Sequence, residues 1–214
     1  MGVVEVCNIG LSQYLGYERM NDINEGTPQA EECNLHYNAK RKSLLEMHWW
    51  FFAKGHMAMA LVTNDRTDQW AYKYELPADI VDIHWINDPV AAQAAIEAQQ
   101  DPDAPRHMSG VYVYTNVRNA YIEFTRNIKN TNLMPQYFQD AWSAMIAAAV
   151  ALPLTESVSK ARFATEQAEI MIDRAIAADE QRTGSVEMPQ SDYISARTGN
   201  TPYAAPKSPQ GFPS

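Results

Sequence analysis

Helical spacing of apolar residues dominates the first third of the chain. Four of them recur every four positions at the start: Val3, Cys7, Leu11 and Leu15. With Gly16 placed to stop it, this pattern predicts a short helix over residues 3–15. A second helix is predicted to begin with Thr27 as N-cap and Pro28 at the first helical position, and to end near Trp49.

Three consecutive basic residues, Lys40, Arg41 and Lys42, lie in the later turns of the second predicted helix. They are candidates for a phosphate-binding patch. Acidic residues flank them about one turn away, however, and such pairs are typical of a helix face in contact with water. A solvated face is therefore the favoured interpretation.

Between residues 70 and 125 the hydrophobic period changes from helical to two, which indicates half-buried strands. Four segments alternate in this way: 70–76, 81–85, 111–115 and 120–125. A short polar turn at 116–119 separates the last two, so they are predicted to pair as an antiparallel hairpin. The polar segment 88–110 is predicted to be an exposed loop with one or two helical turns.

Helical periodicity then returns. Pro135 is predicted to open a helix, rich in alanine, in which Phe138 and Trp142 are core residues, and Pro153 to end it. The next helix is predicted over residues 156–182, with an inward face listed as Val158, Ala161, Ala168, Ile172 and Ala175. Phe163 and Ile170, seven residues apart, form a second stripe. Both interpretations of this stripe, intrachain core and subunit contact, stay open.

The last thirty residues have a different composition. Residues 185–214 contain five prolines and no helical or strand period. Such a segment is predicted to be an extended arm that a partner protein holds in a groove. The predicted anchors of this arm are Tyr193, Ile194, Arg197, Tyr203 and Phe212.

Charge and composition narrow the classes of function. The chain has 17 basic and 26 acidic residues, a formal net charge of −9. This balance argues against a surface that grips nucleic acid, yet it suits an acidic wall along which DNA slides. Two scattered cysteines, Cys7 and Cys33, are predicted to be free and buried in a reducing compartment. No secretory signal is predicted, and the longest apolar run is too short to span a bilayer.

Catalytic patterns are absent from the sequence. It contains none of the glycine-rich nucleotide motifs, no G-x-S-x-G and no H-E-x-x-H. No glutamate has a histidine three residues later, which a di-metal helical bundle requires. The histidines share no metal-ligand spacing: His36, His48, His56, His84 and His107. We therefore predict a non-enzymatic protein with no catalytic residue, no metal and no cofactor.

The order of several landmarks resembles the tail tubular protein A family of short-tailed bacteriophages. The landmarks are the stretches VCNIGLSQYLG, LLEMHWWFFAK, YKYELPADIVDIHWI and MPQYFQDAWSAMIAAAVALPLTES. The second of them carries the family-like residues Leu44, Leu45, His48, Trp50, Phe52 and Ala53. The resemblance covers roughly residues 3–182 and excludes the 88–110 segment and the proline-rich tail.

This resemblance implies a structural virion protein that joins the portal protein to a tail nozzle resembling tail tubular protein B. The partner expected to hold the C-terminal arm is then the portal protein. It implies a closed ring of about twelve copies, assembled in the host cytoplasm, through which genomic DNA passes without specific binding. No membrane is involved. The alternative from another class is a tail-associated peptidoglycan hydrolase, which needs two carboxylates in a cleft.

The implied fold is α+β: a helical bundle built from both chain ends, with an inserted antiparallel β-rich domain and an extended C-terminal arm. The bundle is assigned to 1–64 and 132–184, the β domain to 65–131 and the arm to 185–214. The changes of period agree with this order.

Four consecutive aromatic residues, 49–52, lie where the chain is predicted to pass from the helical bundle into the sheet. No single face of a helix or strand can bury all four rings. Trp50 and Phe52, which match the family pattern, are predicted core residues. Trp49 and Phe51 are predicted to lie at a subunit or domain junction.

Overall fold

The fold is α+β, as predicted, with a helical bundle and two antiparallel sheets. The computed structural model describes residues 2–183, so the predicted arm and its five anchor residues lie outside the described residues. Both ends of the described chain build the bundle. Its helices are α1 (Val3–Gly10), α2 (Pro28–Met47), α4 (Gln136–Thr155) and α5 (Val158–Thr183). A shorter helix, α3 (Pro89–Glu97), belongs to the β domain.

Helix α4 is the centre of the bundle and packs against α1, α2 and α5. Phe138 and Trp142 supply the largest side chains of its buried surface, and four of the other buried residues are alanines. Small side chains let the neighbouring helices approach closely. Helix α1 approaches α4 closely at Gly10, where a Cβ atom would collide with the Ser143 carbonyl oxygen.

The helix ends follow local signals in the sequence. Thr27 caps α2, its hydroxyl accepting from the Ala30 amide at 3.3 Å, and Pro28 is the first helical residue. Helix α1 continues into a π-helical turn, Leu11–Leu15, which ends at Gly16 with φ of 73°.

The prediction that Pro153 ends α4 is wrong. The helix continues to Thr155 and ends at Glu156, whose φ is 50°. Proline removes one backbone donor. Burial of α4 among three other helices offsets that single missing hydrogen bond, so the helix persists for two more residues.

Seven strands form the two sheets of the described β domain. They are β1 (Lys54–Ala58), β2 (Ala60–Val62), β3 (Tyr72–Glu75), β4 (Ile80–Asn87), β5 (Arg106–Ser109), β6 (Tyr112–Thr115) and β7 (Tyr121–Arg126). The first sheet has the order β1-β7-β4 and the second the order β2-β3-β6-β5. Only Met59 separates β1 from β2, and its amide donates to the Ala120 carbonyl at 2.9 Å. The two sheets therefore share one bent strand, and their inner faces enclose a separate core around Ile122 and Val113.

One domain boundary and one segment inside the β domain differ from the prediction. Strands β1 and β2 lie within 1–64, which was assigned to the bundle, so the β domain begins at Lys54 rather than at residue 65. The 88–110 segment is not an open loop, because it contains helix α3 and strand β5. Asp88 caps α3 through its carboxylate, which accepts from the Val90 amide at 3.0 Å.

The predicted hairpin between 111–115 and 120–125 is also wrong, because β6 and β7 belong to different sheets. Strand β6 pairs instead with β5 through the two-residue turn Gly110–Val111, in which Gly110 has φ of 61°. The Tyr74 hydroxyl donates to the Val117 carbonyl at 2.8 Å and accepts from the Ala120 amide. These bonds hold the 116–120 connection as it crosses between sheets.

A short ion-pair network holds the 63–71 loop against the outer face of the second sheet. The Asp65 carboxylate accepts from Lys73 Nζ and from the Tyr114 hydroxyl, both at 2.9 Å. Arg66 lies over the Tyr114 ring, 4.9 Å from its centre. The hydrogen bond from Lys73, followed by that from Tyr114, lowers the pKa of Asp65.

Acid is therefore expected to release this loop. A lowered pKa means that Asp65 contributes stability above its unfolded value of about 4, and that this contribution is lost as the pH falls through the lowered pKa. Fluorescence of Trp70, which lies in the loop, should report the release as the pH falls below about 4. The control is Asp65→Asn, which should have a loosened loop at neutral pH and no such transition. Identical titrations for both proteins would refute this role of Asp65.

Candidate functional site

The six residues between α2 and β1, 48–53, turn the chain from the bundle into the first sheet. His48 leaves the helix in an extended conformation, with φ of −152°. A 3-10 turn, Phe51–Ala53, follows and runs directly into β1. Because the backbone changes direction at each of these steps, the four rings of residues 49–52 point to different surroundings. We call this segment with its contacts the aromatic junction.

Two of the four rings belong to the bundle core. Trp50 is fully buried, and its indole N–H donates to the Leu44 carbonyl at 2.7 Å. Its ring meets Phe138 edge to face, with centroids 5.1 Å apart. Phe52 is half-buried and packs on the same Phe138 ring at 4.9 Å. The other predicted core residue, Trp142, is buried and donates its N–H to the Tyr37 carbonyl at 2.9 Å.

Trp49 connects the bundle to the first sheet. Its ring stacks on His84 of β4 at 4.4 Å, and Lys54 Nζ lies 4.1 Å from the ring centre. His84 also forms a hydrogen bond with the Thr125 hydroxyl at 2.8 Å, and burial lowers the pKa of His84. The stack thus joins two domains of one chain. The Trp49 indole nitrogen is buried without a hydrogen-bond partner among the described residues.

A buried carboxylate, Asp179 of α5, holds the junction from the other side. It accepts from the Phe51 amide at 2.9 Å and from the Tyr137 hydroxyl, and it lies 3.3 Å from His48 Nε2. Burial, reinforced by Asp179, raises the pKa of Tyr137, so that the phenol remains a donor. The end of α5 is therefore fastened to the segment that leads into β1.

Arg41 forms the second polar connection between the domains. The prediction of a solvated face is wrong for this residue, which is 2% exposed. Its guanidinium donates to the Asn127 side chain at 2.8 Å and to the Ile128 carbonyl. These groups follow the end of β7, so Arg41 anchors the chain where it returns from the sheet to the bundle. An arginine with several oriented donors can satisfy both acceptors at once.

Helix α5 has an inward and an outward apolar face. On the inward face Ala164, Ala168 and Ala175 are buried, and the partly buried Met171, Ile172 and Ile176 also pack on the bundle core. Two further large residues are exposed on the outward face: Phe163 at 48% and Ile170 at 41%. Of the two interpretations of this stripe, intrachain core is therefore excluded. Val158, expected on the inward face, is 75% exposed because it begins the helix.

A second exposed apolar patch lies at the aromatic junction. Met47, the last residue of α2, is 52% exposed, and the Phe51 ring is 56% exposed. The backbone beneath this ring is fixed, because the Phe51 amide is bound to Asp179. We call these two residues the junction patch, and Phe163 with Ile170 the outer α5 face.

The burial of two residues of the site was not predicted, although the sequence pattern indicates it for both. Arg41 lies four residues after Tyr37 and three before Leu44, within the apolar stripe of α2. Asp179 lies four residues after Ala175, on the inward face of α5. In each case the position on the helix indicates burial even though the residue is charged.

Other chemistry has little support in the described part of the chain. No group of three or more His, Cys, Asp or Glu residues between 2 and 183 is placed to hold a metal ion. Cys7 and Cys33 are free and buried in the bundle, as predicted. None of the described helices is both long enough and apolar enough to cross a bilayer.

No protein-family model matches the chain, and no curated protein matches its sequence.

Proposed function

We propose that this chain is a structural virion protein that assembles into a ring between a portal protein and a tail nozzle, as a head-to-tail adaptor of a short-tailed phage. In this proposal it has no catalytic activity and needs no cofactor. Assembly into a ring is supported by the exposed apolar surfaces of the subunit. The axial partners and the location in the virion are supported by the order of landmarks that resembles the tail tubular protein A family.

The single observation that carries the proposal is the exposed apolar stripe on the outer side of α5. A helix that only served its own bundle would keep its large apolar residues inward, as Ile172 and Ile176 are. Phe163 and Ile170 are instead 48% and 41% exposed. Burying one such side chain contributes about 1.5–3 kcal/mol, which favours a protein partner for this face.

A closed ring requires two different surfaces on each subunit, because every contact is head to tail. The outer α5 face and the junction patch are two such surfaces. We assign them to each other, so that Phe163 and Ile170 of one subunit pack on Met47 and Phe51 of the next. Asp179 connects the helix and the patch within each subunit, so both surfaces belong to one rigid unit.

The charge of the chain suits passage of DNA. A net charge of −9 per subunit adds up around a ring, and a channel of this sign repels phosphate rather than retaining it. Genomic DNA is thus proposed to pass through without specific binding.

Mixing two defective variants tests the assignment of the surfaces. Phe163→Asp/Ile170→Asp removes the outer α5 face, and Phe51→Asp removes the junction patch. Each variant alone is expected to remain monomeric, with self-association weakened at least about 100-fold by the lost apolar burial. Mixed together, they retain one intact contact, so we expect a heterodimer that grows no further. Mass photometry distinguishes the monomer, the heterodimer and the ring.

Val90→Asp serves as the matched control, because Val90 on α3 is 79% exposed and lies outside both surfaces. This variant should form rings like the wild type. Rings from either single-surface variant, or a mixture that stays monomeric, would contradict the proposed contact.

A further inference from the structure

The two sheets leave a gap between their outer edges. Following the strands around the β domain gives the order β4-β7-β1/β2-β3-β6-β5, in which β4 and β5 each pair on one side only. These two edges face each other across a cavity of about 500 Å³. We call this cavity the edge slot.

The edge slot is closed at one end and open at the other. At the closed end the Asn87 side chain donates to the Pro102 carbonyl at 2.8 Å, and the Ala104 amide donates to the Ile86 carbonyl at 2.9 Å. The open end lies between the start of β4 and the β5–β6 turn. Its lining is mainly apolar: Leu76, Ile80, Ile83, Met108 and Val111.

The rim of the edge slot carries apolar groups that are left in contact with water. Met108 is 47% exposed and Val111 is 55% exposed. On the opposite edge, the Ile83 amide is bound at 2.9 Å by the carboxylate of its own neighbour, Asp82. A local carboxylate on an edge amide keeps that edge from pairing with foreign strands. An incoming segment that displaces the Asp82 carboxylate can accept a hydrogen bond from the Ile83 amide and pack on the apolar lining at the same time.

The chain's own tail supplies a segment with suitable chemistry. A strand at an edge needs free backbone N–H groups, which proline lacks. Between Pro189 and Pro202 the tail has its longest proline-free run, 190–201, and that run contains the adjacent apolar pair Tyr193 and Ile194. The remainder of the tail has a proline every few residues.

The position of the end of α5 makes this segment available. Asp179, four residues before Thr183, is bound to the Phe51 amide, and β1 begins three residues after Phe51. In the first sheet only β7 separates β1 from β4, a distance of roughly 10 Å. Ten residues lead from Thr183 to Tyr193, enough to span roughly 33–36 Å when extended.

We propose that, in the unassembled subunit, residues 190–197 of the chain's own tail lie in the edge slot, with Tyr193 and Ile194 against its apolar lining. Entering at the open end, the segment runs parallel to β4 and antiparallel to β5. The release of these residues to the portal protein on assembly rests on the proposed function. Occupancy of the edge slot does not, since it concerns the isolated subunit.

Amide hydrogen exchange on the full-length subunit tests this proposal. The amides of 192–196 are expected to exchange at least about tenfold more slowly than in a free peptide of the same sequence. Met108→Asp/Val111→Asp places two charges on the apolar rim and should return them to the free-peptide rate. Val90→Asp, at a residue that is 79% exposed and lies outside the edge slot, should retain the protection.

Ile194→Asp provides a second variant that alters no residue of the slot, and it too should abolish protection of its neighbours. Amide exchange of 192–196 at the free-peptide rate in the wild type would overturn the proposal. Unchanged protection in both Met108→Asp/Val111→Asp and Ile194→Asp would overturn it as well. Protection that disappears on dilution would also overturn it, because the tail would then belong to another copy. Since no portal protein is present, failure of ring assembly would leave these results unaffected.

Discussion

Replacing Trp50 with alanine is expected to lower the free energy of unfolding by about 3–5 kcal/mol. The side chain is fully buried, it contacts Phe138 edge to face, and it satisfies the Leu44 carbonyl through its indole N–H. Alanine would leave a cavity at the centre of the junction and an unpaired backbone acceptor beside it. Urea denaturation followed by far-UV circular dichroism measures the change, and we expect much of the variant to be insoluble or misassembled.

Phe51→Ala is the matched control, one residue along the chain. Its ring is 56% exposed, so its loss should change the unfolding free energy by less than about 1 kcal/mol. Ring assembly should nevertheless weaken, because the junction patch is lost. A soluble Trp50→Ala protein with the stability of the wild type would count against the core assignment of Trp50.

Removal of the Asp179 carboxylate is expected to have an effect of similar size. Asp179→Ala leaves the Phe51 amide and the Tyr137 hydroxyl without their acceptor and His48 without its partner. Leaving a buried donor without its acceptor costs about 1–3 kcal/mol, and two donors lose theirs here. The 3-10 turn should loosen as well, so amide exchange at Phe51 should become faster than the loss of global stability predicts.

Glu180→Ala controls for the loss of an acidic residue near the end of α5, since Glu180 is exposed. Its stability should stay within about 0.5 kcal/mol of the wild type. Equal stabilities for the two alanine variants would show that Asp179 does not fasten the helix to the junction.

The helices could be predicted closely from the sequence because their signals are local. Thr27 and Pro28 define the start of α2 through backbone geometry that involves only neighbouring residues. Strand pairing is different, since it depends on which edges meet in space. The alternation of β6 and β7 predicted two strands, but nothing local indicated that the Tyr74 hydroxyl would turn the connection toward the other sheet.

Part of the candidate site could also be predicted from local sequence alone. A run of four rings cannot share one environment, so a division among core, sheet and surface follows from the residues alone. The partners of each ring do not. Trp49 meets His84, 35 positions later in the chain, and Phe51 meets Asp179, 128 positions later. Only the folded chain identifies such pairs.

Arg41 and Asp179 illustrate a further limit on what can be predicted from the sequence. Their positions on the helices indicate burial, but burial of a charge is stable only when partners are present. The partners of Arg41 are 86 and 87 residues away and could not be inferred from the helix itself. Charged residues at inward helix positions are therefore useful markers of contacts between distant segments.

Together, these contacts describe a subunit whose two domains are connected at several points, while the outer α5 face and the junction patch are exposed among the residues described. Arg41, Trp49 and Asp179 each connect separate segments at the bundle–sheet boundary. A rigid boundary of this kind would keep the outer α5 face and the junction patch at a constant angle. Closure of a ring depends on that angle being the same in every copy.

The most direct test of the proposed function is electron microscopy of the purified full-length protein mixed with the portal protein of its own phage. We expect closed rings of this chain that sit on the portal axis and surround an open channel. Monomers that neither close into rings nor bind the portal would contradict the proposed adaptor role.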